Sequence, residues 1–248
     1  MRNLQSLIKK FEPITLSEMD NVKLMNRTDT KFTFQSEKLL DILLKMLDSY
    51  YILDVDGKRI QDYRSLYYDT KDRKFYLDHH NQRVNRNKIR FREYVDSQLT
   101  FMEIKLKNNK GRTIKKRMKV PKIPLVLDDD HKKYIYDIIG ERLNVLPQQW
   151  INFSRITFVH KTNKERLTID LGLNFRDQDR VGDLKDIIIA EVKQERMSRS
   201  SDFIRIVKEM SILPMRLSKY CISTIQLNTE IKKNRFKKKQ LFINKLKL

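Results

Sequence analysis

The sequence predicts an α+β fold in which about eight antiparallel strands carry one charged and one apolar face, with helices packed on the apolar side. Three observations predict it. Residues 27–34, 60–69, 87–95, 100–107, 112–120, 151–160, 166–171 and 187–193 alternate with a period of two, the spacing of side chains on a strand. The charged faces repeat the form charged-x-charged, with Arg and Lys outnumbering acids. Segments with apolar residues at helical spacing lie among these runs and can cover the apolar side of a sheet.

Taken in order, residues 1–20 open with a helical stripe of Leu4, Leu7, Ile8 and Phe11, which Pro13 ends. The run 27–34 sets Arg27, Asp29, Lys31 and Thr33 against Phe32 and Phe34. Residues 37–48 predict an amphipathic helix, since Leu39, Ile42, Leu43, Met46 and Leu47 share a stripe. A turn at Asp54–Gly57 precedes the run 60–69, and 73–82 reads as a helix. In 87–95, Lys88, Arg90, Arg92 and Tyr94 oppose Ile89, Phe91 and Val95. In 100–107, Phe101, Glu103, Lys105 and Lys107 oppose Met102, Ile104 and Leu106. Turns at Asp96–Gln98 and Asn108–Gly111 are short enough for antiparallel hairpins into and out of that run. Residues 128–142 predict a helix, and 151–160 places Arg155 beside Thr157. Arg166, Thr168 and Asp170 oppose Leu167, Ile169 and Leu171. Gly182–Asp183 reads as a turn. In 187–193, Glu191 and Lys193 share a face with Ile187 and Ile189, opposite Ile188, Ala190 and Val192. A last helix over 199–212 ends before Pro214. With no repeat and no Ser/Gly linker, residues 1–229 read as one domain and 230–248 as a tail.

Charge points to the partner. Fifty-three Lys and Arg against 32 Asp and Glu leave a net charge of +21, which calls for a polyanion: nucleic acid, a phosphate-rich small molecule or an acidic membrane. Only five Gly and five Pro exclude collagen-like and low-complexity classes. No apolar run approaches the roughly 18 residues of a membrane span, and no signal-peptide segment opens the chain, so a cytoplasmic protein is expected. The single Cys221 excludes an intrachain disulfide and a Cys-rich metal site. There is no P-loop, and His79, His80, His131 and His160 lack zinc spacing. Ser198, Ser200 and Ser201 lack a nucleophile elbow. Phosphoryl transfer needs no protein nucleophile, because positioning and charge stabilisation carry most of it.

Alternation leaves two arrangements open: an open sheet with a basic face, or a closed barrel with its charges turned inward. A lumen lined by Arg27, Lys31, Lys88, Arg90, Arg92, Lys105, Lys107, Arg155, Arg166 and Lys193 would need counter-charge from a polyanion or ions. Asp29, Glu103, Asp170 and Glu191 either pair with those cations or hold a hard divalent ion that bridges phosphate oxygens.

The segments Arg27-Thr-Asp-Thr-Lys31, Tyr67-Tyr-Asp-Thr70, Lys88-Ile-Arg-Phe-Arg92, Glu103-Ile-Lys105, Lys115-Lys116-Arg117, Arg155, Ala190-Glu-Val-Lys193 and Ser218-Lys219, in that order, resemble the VTC domain. That is the catalytic domain of vacuolar transporter chaperone polyphosphate polymerases and their bacterial relatives, among the triphosphate tunnel metalloenzymes of the CYTH-like superfamily. The resemblance covers roughly residues 20–225. It implies an eight-stranded antiparallel closed barrel and an ATP-dependent polyphosphate polymerase assisted by Mn²⁺ or Mg²⁺. By the same resemblance Lys31, Arg90, Arg92, Lys105, Lys115 and Arg155 bind phosphate, Glu191 holds the metal and Lys219 closes the tunnel. Lys88 and Lys193 join the phosphate-binding set as lumen residues, and Arg90, Arg92, Lys105 and Arg155 carry the catalytic charge stabilisation. Lys115 and Lys116 are adjacent, so a one-residue slip exchanges their faces. Many tunnel phosphohydrolases begin with Glu-x-Glu-x-Lys, whereas this chain has Arg27-x-Asp29-x-Lys31. That weakens the two-metal hydrolase reading and fits the VTC branch; the competing functions are a tunnel triphosphatase and a non-catalytic binder of polyphosphate or nucleic acid. Nucleic acid is the least favoured ligand.

The tail carries the basic run Lys232–Lys239 and then Leu241, Phe242, Ile243, Leu246 and Leu248 among lysines. It reads either as a solvated segment or as an interfacial helix for an anionic membrane or a membrane protein.

Overall fold

The elements follow in the order α1 (Arg2–Ile8), β1 (Pro13–Ile14), α2 (Leu16–Asp20), β2 (Thr28–Gln35), α3 (Leu39–Met46), β3 (Tyr50–Leu53), β4 (Gln61–Thr70), α4 (Lys74–His80), β5 (Arg86–Tyr94), β6 (Leu99–Lys107) and β7 (Thr113–Val120). Then come α5 (Asp129–Ile139), β8 (Val145–His160), β9 (Glu165–Arg176), β10 (Val181–Leu184), β11 (Ile187–Gln194), α6 (Asp202–Glu209), α7 (Lys219–Leu227) and α8 (Lys237–Leu246). The structure is a computed structural model describing residues 2–20, 28–109, 113–196, 198 and 201–247. Arg27, Gly111, Arg112 and Ser200, which the sequence assigns to strands, a turn and a helix, lie outside the described residues.

Eight strands form one antiparallel path, β2-β11-β9-β8-β4-β5-β6-β7. The period-two sorting of faces is met in the core. Phe32, Phe34, Leu167, Ile169, Ile188, Ala190 and Val192 turn outward under α1, α3 and α6. Ile89, Phe91, Met102 and Ile104 pack with Ile135 of α5. Local capping sets the helix ends. Asp128 accepts from the His131 N–H and Ser201 from the Ile204 N–H, while α5 stops at Gly140 with φ 80°.

The sheet curls until its polar face surrounds a lumen. Glu191 on β11 and Lys105 on β6 are five strand steps apart along the path, about 24 Å if the sheet were flat. Yet Lys105 feels the Glu191 carboxylate. The expected closed barrel is not what forms, however. Among the described residues no ladder joins β7 to β2, so the sheet remains open along that seam. The chemistry of β7 accounts for the gap: Lys115, Lys116, Arg117 and Lys119 make a cationic, mostly exposed edge, which resists strand addition.

The lumen is also not charged throughout. Helix α7 enters one end as an apolar plug, with Tyr220, Ile222, Ile225 and Leu227 packed on Ile151, Phe153, Leu173, Phe175, Ile187 and Ile189 of the inner face. Burying each of these large side chains is worth about 1.5–3 kcal/mol, which fixes the plug in place. Polar anchors set its depth: the Tyr220 hydroxyl donates to Asp69 at 2.6 Å, and Thr224 donates to Gln149 at 3.0 Å.

The last stretch docks on this plug. Phe236 and Ile243 are buried in the same cluster, the Tyr76 hydroxyl donates to the Lys232 carbonyl at 2.8 Å, and Arg235 reaches the Asn81 carbonyl at 3.1 Å. The apolar stripe that an interfacial helix would lay on lipid is therefore divided: Ile243 faces the core, while Leu241 and Phe242 are exposed. Among the described residues no helix is long and apolar enough to cross a membrane.

Candidate functional site: a cation-lined chamber

Beyond the plug, the inner face forms a chamber in which three carboxylates are each gripped by two cations. Glu103 on β6 receives Arg90 Nε at 2.7 Å and Nη2 at 2.5 Å from β5, and Lys115 from β7. Asp170 on β9 receives Arg155 Nε at 2.6 Å and Nη2 at 2.9 Å from β8, and Lys219 from the first turn of α7. Glu191 on β11 receives Lys31 at 2.6 Å from β2 and Lys193 at 3.3 Å. Strand register makes these pairs, since Arg90↔Glu103, Arg155↔Asp170 and Glu191↔Lys31 stand directly opposite one another. The same register resolves the slip left open by the sequence: Lys115 lies opposite Lys105 and faces inward, and Lys116 does not.

Burial alone would push these carboxyls up, but the paired cations outweigh it. Asp170 is held far below the usual range by Arg155 and Lys219, and Glu103 by Arg90, Arg92 and Lys115. Glu191 is likewise held well down by Lys193 and Lys31. The three carboxylates are thus ionised at neutral pH, with six basic groups gripping them.

Two further basic groups contact no carboxylate among the described residues. Arg92 is 5% exposed; it donates to Ser65 Oγ at 3.1 Å and lies over the Tyr63 and Phe153 rings at 5.1 and 5.3 Å. Burial and then the neighbouring Arg90 lower its pKa to about 10. Lys105 is enclosed by the walls yet still open to the lumen. Burial and then Arg90 pull it well below the usual lysine range. Lys88 donates to Ser218 Oγ at 2.9 Å, which ties the start of α7 to β5.

All ten predicted site residues therefore reach one inner face, with Lys88 at its plugged end. The aromatic lining was not anticipated. Tyr63, Ser65 and Tyr67 alternate on β4, and the Tyr67 hydroxyl accepts from Arg90 Nη1 at 2.9 Å. Arg155 lies over Tyr63 and Phe153, and Lys219 lies 4.5 Å from the Phe153 ring centroid. The period-two pattern of β4 carried that signal. Arg166 was expected in the lumen, but its guanidinium reaches back to the Met19 carbonyl at 2.9 Å.

Lys193 gives the chamber a pH response. Burial, then Arg155 and Lys31, lower its pKa to about 8 against the pull of Glu191. A lysine lowered in this way is partly neutral just above pH 8, and a bound polyanion restores its proton. Triphosphate binding above about pH 8 is therefore expected to take up protons and to weaken as pH rises. Titration calorimetry in buffers of different ionisation enthalpy measures this, and Lys193→Arg should reduce the uptake to the part that Lys105 contributes. A wild-type enthalpy independent of buffer would remove Lys193 from the binding set.

No curated protein matches the chain significantly. Among solved structures, a Hippeastrum protein described as a candidate adenylyl cyclase with a dominant triphosphatase activity is 13% identical, with 82% of this chain and 97% of that one covered, at a TM-score of 0.49. A candidate adenylate cyclase from Bacillus halodurans is also 13% identical, covering 78% and 96% at 0.48. One from Vibrio parahaemolyticus is 11% identical, covering 80% and 99% at 0.47. Likenesses this weak say nothing of activity. The match to a family model is of another order: the VTC domain model covers residues 26–228, from just before β2 to the end of α7, and the chain belongs to the VTC domain family.

Proposed function

We propose that the chain is a polyphosphate polymerase that transfers the γ-phosphoryl group of ATP to a growing polyphosphate chain inside the chamber. In this reaction a terminal phosphate oxygen of the chain attacks the γ-phosphorus, the bond to the β,γ-bridging oxygen breaks, and ADP leaves. Arg90, Arg92, Lys105 and Arg155 stabilise the charge on the transferring group. Lys31, Lys88, Lys115, Lys193 and Lys219 hold the flanking phosphates.

One observation carries the choice of acceptor. Glu103, Asp170 and Glu191 are each held by two cations and depressed in pKa, so none is poised to take a proton from water. A phosphate terminus arrives already ionised and needs no base. Water needs one.

Among the described residues no group of three His, Cys, Asp or Glu could form a metal cage. Glu191 is ionised and faces the lumen, which fits a divalent ion such as Mg²⁺ or Mn²⁺ only where substrate phosphates provide most of the other oxygens. When bound there, the ion would supply charge neutralisation between adjacent phosphate groups. No adenine pocket is required by this reading.

Incubation with ATP and Mn²⁺, followed by gel analysis of product length, tests the proposal. Long chains are expected. Free phosphate as the sole product would replace the polymerase with a tunnel triphosphatase acting on triphosphate or nucleotides.

A further inference from the structure

The inner face of β5 presents cations at every second residue: Arg92, Arg90, Lys88 and Arg86. At about 3.4 Å per residue this track runs about 20 Å, longer than the triphosphate arm of a nucleotide. Its last rung leaves the chamber. Arg86 stands opposite Lys107, one rung beyond the Lys88↔Lys105 pair, at the end of the sheet where α4, α7 and α8 meet.

There the cations meet others from outside the sheet. The Lys88–Ser218 bond brings the 216–218 segment, with Arg216, against β5. Phe236 packs on His79 and His80 at 6.0 and 5.4 Å and carries Lys239 over its ring at 5.6 Å. Arg86, Lys107 and Lys239 are half-buried and Arg216 is exposed. Among the described residues no carboxylate pairs with any of the four. That contrasts with the chamber, where six of the nine basic groups contact a carboxylate.

Two features show that the cluster is short of negative charge. Burial, then Lys88, Arg86, Lys239 and Lys107, push His79 down to about 2, and its buried Nδ1 has no partner among the described residues. Helix α8 also starts with Lys237, Lys238 and Lys239 and has no acid in its first turn, against the preference of a helix N-terminus for negative charge. Local rules broken together at one place, with no compensation inside the protein, mark a functional site. An anion seated there would relieve both.

We propose that Arg86, Lys107, Arg216 and Lys239 form a second phosphate-binding site on the outer side of the plugged end, which takes a stretch of a polyphosphate chain apart from the chamber. The site rests on the polymerase reading for its ligand, but its binding is measurable without turnover. Because α8 lies beyond the family match of residues 26–228, Lys239 is a contribution of this chain's own C-terminal helix.

Calorimetric titration of the full chain compares inorganic triphosphate with long-chain polyphosphate. The wild type should bind the long chain at least tenfold more tightly per molecule. Arg86→Gln combined with Lys239→Gln should remove most of that difference and leave triphosphate affinity within twofold. Arg216→Gln, on an exposed residue, repeats the test where folding is not at risk. Equal loss for both ligands, or no loss for either, would overturn the second site. Chain products absent from ATP incubations, with the length-dependent affinity retained, would instead overturn the polymerase and leave the site standing.

Discussion

Arg92→Ala is expected to lower turnover by about 10²–10³-fold, the scale seen when a preorganised charge-stabilising donor is removed. The folded state should hold within about 1 kcal/mol, because Arg92 contacts no carboxylate among the described residues and its charge is buried beside Arg90. Loss of its contacts with the Tyr63 and Phe153 rings is offset by the end of that repulsion. Arg90→Ala is expected to lose activity equally but to behave differently in the cold protein. It strips Glu103, 1% exposed, of the partner that grips its Oε2 through two nitrogens and leaves Lys115 as the one direct contact, with Arg92 nearby. Breaking a buried pair in this way costs about 3 kcal/mol. Thermal unfolding of the two variants beside ATP turnover separates the effects. An Arg92→Ala protein with full activity would remove the chamber as the site of transfer. Equal melting temperatures for the two variants would remove the Glu103 clamp.

That difference between neighbouring arginines shows what the sequence could and could not say. Alternation identified the inward residues of β2, β5, β6, β9 and β11, because each of those strands has one polar and one apolar face and period two is unambiguous there. It could not identify partners. Which cation grips Glu103, Asp170 or Glu191 follows from strand order and register, and both are set by distant parts of the chain. The elements that were missed share a physical cause as well. Helix α7 is buried on nearly every side, so it shows no amphipathic period and only its Ser218-Lys219 start stood out. The Tyr50–Leu53 strand is a short apolar run that periodicity cannot classify. Gly182–Asp183 has turn chemistry but lies in β10, where a Cβ on Gly182 would come within 2.5 Å of the Phe175 ring. The glycine there makes room for an aromatic neighbour, and the chain turns earlier, where the Asp177 N–H donates to the Arg180 carbonyl. Alternation left closure of the barrel open and the resemblance implied it, and the lysines of β7 keep that seam open.

Glu191→Gln is expected to have the second largest effect, and in two opposite directions. Its carboxylate is the one gripped solely by lysines, Lys31 at 2.6 Å and Lys193 at 3.3 Å. Lysine is a compact point charge that can be redirected to a phosphate, whereas Glu103 and Asp170 are locked by arginine forks. Of the three, Glu191 is therefore the carboxylate that substrate binding can release, and a released carboxylate is what a hard cation needs. Gln keeps the shape but lacks the charge, so metal-dependent turnover should fall by at least 10²-fold. The same change frees two lysines, and triphosphate should bind more tightly in the absence of metal. Removing the partner also raises the net charge of the chamber, so the unliganded protein should melt earlier and recover its stability when triphosphate is added. Calorimetry with and without Mn²⁺, read beside turnover, measures both directions. If metal dependence survived with metal-free binding unchanged, the ion would have to be held by Glu103 or Asp170, and the two lysines on Glu191 would be a structural clamp.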